Sequence, residues 1–157
     1  MSAKQASEMA SFIKSKKNVL LMAGDLCDKI DFGGKLLSDY AADIANKAKL
    51  PVAATGNTVK GLKAKGVTSA AHKYAAEIVD FTKESEWRDP IMAERPDLLV
   101  FIGYSSVAAA GLAAAACNVE TAVLGNVYAE QATCSLPDAS LSQYQQNLDE
   151  LTKALGN

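Results

Sequence analysis

Residues 96–106 read Pro-Asp-Leu-Leu-Val-Phe-Ile-Gly-Tyr-Ser-Ser: five consecutive apolar side chains run into a glycine and then two serines. A strand with one wet face alternates apolar and polar residues. This run does not alternate, so it suits a strand covered on both faces, as in a parallel sheet between helical layers. Gly103 permits a sharp exit, and Ser105 or Ser106 can cap the alanine-rich helix expected over Val107 to Cys117. Ligands of open α/β sheets gather at the carboxyl ends of strands. Gly103 to Ser106 is therefore either a binding edge or simply a turn and a cap.

The rest of the chain supplies the partners that such a strand needs. Asn18 to Ala23 and Pro51 to Thr55 are further apolar strands, and Glu120 to Leu124 is another. Helical spacing appears in Ala3 to Ser15, where Met9, Phe12 and Ile13 form a stripe. It appears again in the set Leu36, Leu37, Tyr40, Ala41, Ile44, Ala45 and Ala48, which Pro51 stops. A short helix is expected through Leu62 to Ala64. Ser69 is expected to cap a further one with Ala71, Tyr74, Ala75, Ile78 and Phe81 inward. Leu141, Tyr144, Leu148, Leu151 and Leu155 mark a final helix opened by Asp138 or Ser140, of a length that suits docking on this domain. Val127 to Pro137 reads as irregular, and Glu84 to Pro96 as a polar connector. Its Trp87 is a lid over the core or a contact for a partner. The order α-β-α-β-α-α-β-α-β-α predicts one Rossmann-like three-layer α/β/α domain over residues 1–157, with four or five mostly parallel strands.

Composition removes several chemistries. The 157 residues carry a formal charge of −2, which offers no basic face for nucleic acid. No apolar run approaches the roughly 20 residues that span a bilayer, and the amino terminus lacks a signal-peptide core, so a cytoplasmic location is expected. Cys27, Cys117 and Cys134 are dispersed and His72 is the sole histidine. That set fits neither a disulfide framework nor a metal centre held by this chain. Cys27 and Cys134 read as ordinary loop thiols and Cys117 as a small buried hydrophobe. His72 falls off the helical stripe and is expected to be exposed. Lys14, Lys16 and Lys17 form either an anion or partner contact, or a solvated helix end.

Polar, glycine-bearing strand exits recur. Gly24-Asp25 opens an irregular loop through Gly33-Gly34 that lacks the G-x-G-x-x-G fingerprint. Thr55-Gly56-Asn57 could hold an anion or a ribose, or serve only to start a helix through Asn57 or Thr58. Gly103-Tyr104-Ser105 and Gly125-Asn126 complete the set.

Over roughly 130 residues the chain resembles the epsilon subunit of the archaeal CO dehydrogenase/acetyl-CoA decarbonylase/synthase complex. The residues that carry the likeness are Ala54-Thr55-Gly56 with Lys60 and Gly66, Glu77-Ile78, Trp87, and Asp97 to Gly103 in a D-L-x-x-F-x-G pattern. Thr121, Tyr128, Ala132, Ser135, Pro137 and the leucine-bearing last helix follow in order. The chain departs from the family in its small residues from Ser105 to Ala110. The resemblance implies a fold like the NAD- or FAD-binding domain of deoxyhypusine synthase. It also implies an accessory, non-catalytic subunit that binds a large nickel–iron–sulfur CO dehydrogenase subunit in an α2ε2 component, with self-association a further expectation. Assistance of electron transfer to FAD is the role proposed for the family. FAD would then lie along Gly24, Asp25, Thr55, Gly56, Asn57, Gly103, Tyr104, Ser105, Gly125 and Asn126, with Trp87 and the Tyr128 loop toward the partner. The alternatives are a free-standing nucleotide- or NAD-using enzyme, against which the scarcity of acid–base candidates weighs, and a structural spacer.

Overall fold

In the computed structural model, which describes residues 2–157, the apolar run is strand β5, Leu98–Ile102, buried at every position. It pairs in parallel with β2 (Val19–Ala23) on one side and β6 (Glu120–Val123) on the other. Beyond β2 lie β3 (Val52–Ala54) and β4 (Ala70–His72). Beyond β6 lie β7 (Cys134–Ser135) and β1 (Ser2–Ala3). The order is β1-β7-β6-β5-β2-β3-β4, and every neighbouring pair is parallel.

The uninterrupted apolar run follows from two separate cores. Leu98, Val100 and Ile102 of β5 enter one, with Val19, Leu21 and Ala23 of β2. Leu99 and Phe101 enter the other, with Leu20 and Met22. The first core lies under helices α1 (Ala6–Lys14), α2 (Leu37–Ala48), α3 (Gly56–Ala64) and α6 (Leu141–Leu155). The second is covered by α4 (Ala75–Thr82), α5 (Ser106–Ala115) and the connector that carries Trp87. The chain therefore builds a three-layer α/β/α fold of the Rossmann-like kind. It winds outward from β2 to β4, returns to β5 and winds the other way, so the direction switches between β2 and β5.

Four expectations are corrected. The sheet has seven strands, because β1, β4 and β7 are only two or three residues long and too short to show a period. Ala71 lies in β4, and α4 starts at Ala75. Ser69 caps nothing there, since its hydroxyl donates to the Leu50 carbonyl, and Tyr74 is exposed. The stretch expected to be irregular contains β7. Cys117 is exposed at the end of α5, while Cys27 and Cys134 are buried.

Other open questions close. Ser105 and Ser140 are the caps, accepting from Ala108 N and Gln143 N at 3.2 Å each. Trp87 folds inward: its Nε1 donates to the Met92 carbonyl at 3.1 Å, and its ring meets Phe81 edge-on. His72 is exposed. Lys14 donates to the carbonyls of Ala154 and Asn157, and Lys47 to that of Thr152, so cations from α1 and α2 satisfy the carbonyl-rich end of α6.

Candidate functional site

Because all strands are parallel, the exits of β6, β5, β2 and β3 share one edge. In that order they present Gly125-Asn126, Gly103-Tyr104-Ser105, Gly24-Asp25 and Thr55-Gly56-Asn57. The ten residues thus meet along an edge but do not line one cavity. Between β2 and β5, where a doubly wound sheet opens its ligand crevice, two backbones close on each other. Gly24 N donates to the Ile102 carbonyl at 2.8 Å and Leu26 N to the Gly103 carbonyl at 3.0 Å. A Cβ on Gly24 would collide with the Gly103 carbonyl, and one on Gly103 with Cys27 Sγ. Gly103 also holds φ at +84°, a conformation that glycine adopts without penalty. These glycines let two chain segments touch, and only a small hollow of about 120 Å³, lined by Leu26, Gly103, Tyr104 and Ser105 among others, remains beside the contact.

A hollow lies on each side of this seam. On the β6 side, about 360 Å³ is enclosed by Tyr104, Val107 and Ala110 on one wall and Asn126, Tyr128 and Gln131 on the other. Tyr104 packs edge-on against Phe101, with centroids 6.0 Å apart. The opposite wall is held by Tyr128 N, which donates to Asp138 Oδ1 at 2.7 Å, and by Ala139 N, which donates to the Asn126 carbonyl at 2.9 Å. On the β3 side, an open hollow of about 530 Å³ is lined by Asp25, Asp28, Lys29, Thr55, Gly56 and Asn57. Here the Thr58 hydroxyl donates to Asp28 Oδ2 at 2.8 Å and lies 2.8 Å from Thr55 Oγ1. Lys29 pairs with Asp25 at 3.2 Å. Neither Asn57 nor Thr58 caps α3, which starts at Gly56 behind Thr55.

Burial sets the acid–base character. It pushes the Cys27 thiol up to about 12, with the Asp28 charge adding to the rise, so Cys27 stays protonated and is no nucleophile. Burial likewise raises the Tyr104 phenol, with smaller contributions from Cys27 and Asp25. Tyr144, also raised by burial, spends its hydroxyl on the Leu124 carbonyl at 2.6 Å. Among the described residues no three His, Cys, Asp or Glu side chains converge as metal ligands would, and no helix is long and apolar enough to cross a membrane.

Sequence reasoning missed Val107, Ala110, Tyr128 and Gln131 as hollow-lining residues, and Asp28 and Thr58 as partners across the second hollow. Each lies two or more residues from a glycine exit. Only the packing of neighbouring exits brings them in.

Residues 1–152 match the family described as CO dehydrogenase beta subunit/acetyl-CoA synthase epsilon subunit. The chain belongs to this family. It is also similar to subunit epsilon 1 of the acetyl-CoA decarbonylase/synthase complex of Methanosarcina barkeri, at 29% identity over 94% of this chain and 86% of that protein. It is thus an epsilon-type subunit of the CO dehydrogenase/acetyl-CoA synthase kind.

Subunits must present surface to partners, and the apolar exposure on this epsilon-type chain is unevenly placed. Among the described residues, the exposed large hydrophobic ones are Val107 (83%), Tyr74 (68%), Leu141 (51%) and Val127 (46%). They follow the carboxyl ends of β5, β4, β7 and β6, so all four sit on the edge that carries the hollows.

The same edge can be tested against FAD. The 360 Å³ hollow combines aliphatic side chains and two tyrosines, which suit one planar ring system, with the polar Ser106, Asn126, Glu130 and Gln131; it is at the small end of ligand cavities, roughly 300–1,000 Å³. At the switch point the two strand exits differ: β5 leads through Gly103-Tyr104-Ser105 straight into α5, whereas β2 does not lead into a helix of that length. In place of a glycine-rich helix start, β2 leads into a 3₁₀ turn, Asp25–Asp28, that ends in carboxylates, and α2 begins only at Leu37.

Proposed function

We propose that this chain is a non-catalytic accessory subunit. It docks by the carboxyl edge of its sheet onto the large nickel–iron–sulfur subunit of a CO dehydrogenase complex and assists electron transfer to a flavin at that edge. The observation that carries the reading is the confinement of the exposed large hydrophobic side chains to one edge. Surface hydrophobics scattered singly need no partner, whereas Val107 and Val127 flank one hollow and Tyr74 and Leu141 extend the same edge, the arrangement of an interaction face. Family membership supplies the kind of partner. The buried thiol of Cys27 and the raised phenols of Tyr104 and Tyr144 stay protonated at neutral pH, which leaves the carboxylates Asp25, Asp28 and Glu130 as the acid–base groups of this edge.

The three parts of the mixed edge have separate roles. Val107, Val127, Leu141 and Tyr74 contribute apolar contact. The polar ends of Asn126 and Gln131 fix orientation, and the docked partner excludes water from the 360 Å³ hollow. A flavin bound there would supply one- and two-electron chemistry that no side chain of this edge provides.

The test is co-migration. The full chain is mixed with the purified large subunit and run on size exclusion, with nickel and iron assayed in the fractions. Co-elution with metal is expected for the native chain, and its loss for a Val107→Glu/Leu141→Glu variant. Separate elution of the native chain would overturn the reading. So would undiminished binding by the variant.

A further inference from the structure

We infer that the amino edge of the sheet carries a separate site, a lysine-rimmed hollow that binds a compact anion of several charges, of the polyphosphate class. This site is independent of the flavin reading and lies at the opposite ends of the strands from the glycine-bearing exits. Three observations carry it.

The first is convergence. Helix α1 ends at Lys14 and α2 at Ala48, each just before the strand that it feeds, β2 from Val19 and β3 from Val52. Those strands are parallel neighbours, so both helix ends come to the same edge. There a hollow of about 460 Å³ opens, within the range of small-ligand sites. Lys14, Lys16, Lys17, Lys47 and Lys49 all line it, and the buried Ile13, Val19 and Leu50 supply aliphatic surface. No Asp, Glu or aromatic residue is among the described residues that line it. Five of the chain's 16 Lys and Arg residues thus share one concavity, in a protein whose net charge is −2. Cations gathered in a cleft concentrate anions from solution.

The second is availability. Lys14 and Lys47 donate to carbonyls at the end of α6, and Lys16 pairs with Glu120. Those contacts hold three ammonium groups in place, and each ammonium has three donors. Lys17 and Lys49 are exposed and make no ion pair among the described residues. The carboxylates that adjoin the rim have other partners. Asp97 accepts from the backbone N–H groups of Lys17 and Asn18 at 3.2 and 3.0 Å, and Glu94 accepts from the Asn18 amide at 3.3 Å.

The third is the backbone of Lys49. Its φ is +57°, the left-handed conformation in which glycine usually closes a helix. A side chain at such a position costs stability that glycine would not. What lysine supplies there is a cation at the hollow.

The lining chemistry selects the ligand class. Lysines act as point charges suited to phosphate oxygens, and no arginine is present to fork a carboxylate. Without an aromatic wall, no base or flavin ring is recognised. A short chain of phosphates spreads several charges over a small body, as cations from several segments around one hollow require.

Isothermal titration calorimetry of the full chain with sodium tripolyphosphate, in about 0.1 M salt, tests this. One site with a dissociation constant below about 1 mM is expected. Lys49→Gly suits the left-handed helix end and so keeps the fold, and Lys17→Gln changes an exposed turn. Each should weaken binding at least about 10-fold. Lys60→Gln removes an exposed lysine of α3 outside the hollow and should change the affinity less than about 2-fold. Absence of binding would overturn the inference, as would an equal loss in Lys60→Gln or none in Lys49→Gly and Lys17→Gln. Tighter binding of a hexaglutamate peptide would also overturn it, by making the occupant an acidic protein segment.

Discussion

At the residue scale, the three cysteines show how burial decides chemistry. Cys27 sits under the Gly24–Gly103 seam and its Sγ lies 3.7 Å from the Ile102 carbonyl. Cys134 packs against Met9, with the sulfurs 3.8 Å apart, and burial pushes its thiol up to about 11. Cys117 is exposed. Alkylation of the native chain at pH 8 with iodoacetamide should therefore mark Cys117 alone, and mass spectrometry of the peptides reads it. Modification of Cys27 at a comparable rate would contradict the buried seam. Cys27 also makes stability depend on pH. Unfolded, it titrates near 9.0; folded, near 12. Below pH 9 both states hold the proton and the stabilisation is fully present. As pH rises from 9 toward 12 the unfolded chain loses its proton first, so stability falls. Cys27→Ala should flatten, without abolishing, the decline in melting temperature between pH 9 and 10, a window in which Cys134, raised to about 11, also contributes. An unchanged slope would show that Cys27 is not the group responsible.

At the element scale, two glycines near each other in sequence have opposite roles. Gly103 ends β5 with φ at +84°, and a Cβ there meets Cys27 Sγ and backbone. Gly103→Ala is expected to destabilise by at least about 2 kcal/mol, since both strain and collision oppose it. Gly111 lies inside α5, and a Cβ there meets nothing. Gly111→Ala is expected to stabilise by roughly 0.5–1 kcal/mol, the helix-propensity difference between the two residues. Denaturant titration of the pair checks both. A neutral Gly103→Ala would mean that the seam relaxes easily. Helix α6 illustrates the rule from the other side. Its buried Tyr144, Leu148, Leu151 and Leu155 form the seam against α1 and α2, as the spacing of 3 and 4 predicts. Leu141, the first member of that series, escapes burial because it precedes the turn that reaches the core, and it becomes part of the exposed edge.

At the scale of the whole molecule, the two sheet faces are covered unequally. Four helices close one, while two short helices and the Trp87 connector close the other. The connector is pinned by few groups. Arg95 donates to the carbonyls of Thr82 and Glu84, and Lys73 pairs with the buried Asp89 at 3.1 Å. Hydrogen exchange should therefore be slowest in β2 and β5, which lie inside the sheet with every residue buried, and much faster across residues 84–96. Mass-spectrometric exchange at peptide resolution reads this, and equal protection of the connector and β5 would contradict it. Complex formation by the carboxyl edge should add protection at residues 104–107 and 125–131 and leave the amino edge, with Lys14 and Lys47, unchanged.

The sequence by itself determined the layers. Uninterrupted apolar runs in β2 and β5 require cover on both faces, and the 3–4 spacing in α1, α2 and α6 names the helices that provide it, because burial of alternate and periodic positions is a local property of the chain. It also located the four glycine-bearing exits, since strand ends are marked by residues that cannot continue a strand. Three things needed the tertiary structure. The short strands β1, β4 and β7 exist only because a neighbour offers its backbone groups, so nothing within two or three residues announces them. The exposure of Cys117 and the inward turn of Trp87 follow from which side of α5 and of the connector the rest of the chain covers. The division of one edge into a seam and two hollows also follows from packing. It depends on how closely the exits of β2 and β5 approach, a distance between residues nearly 80 positions apart.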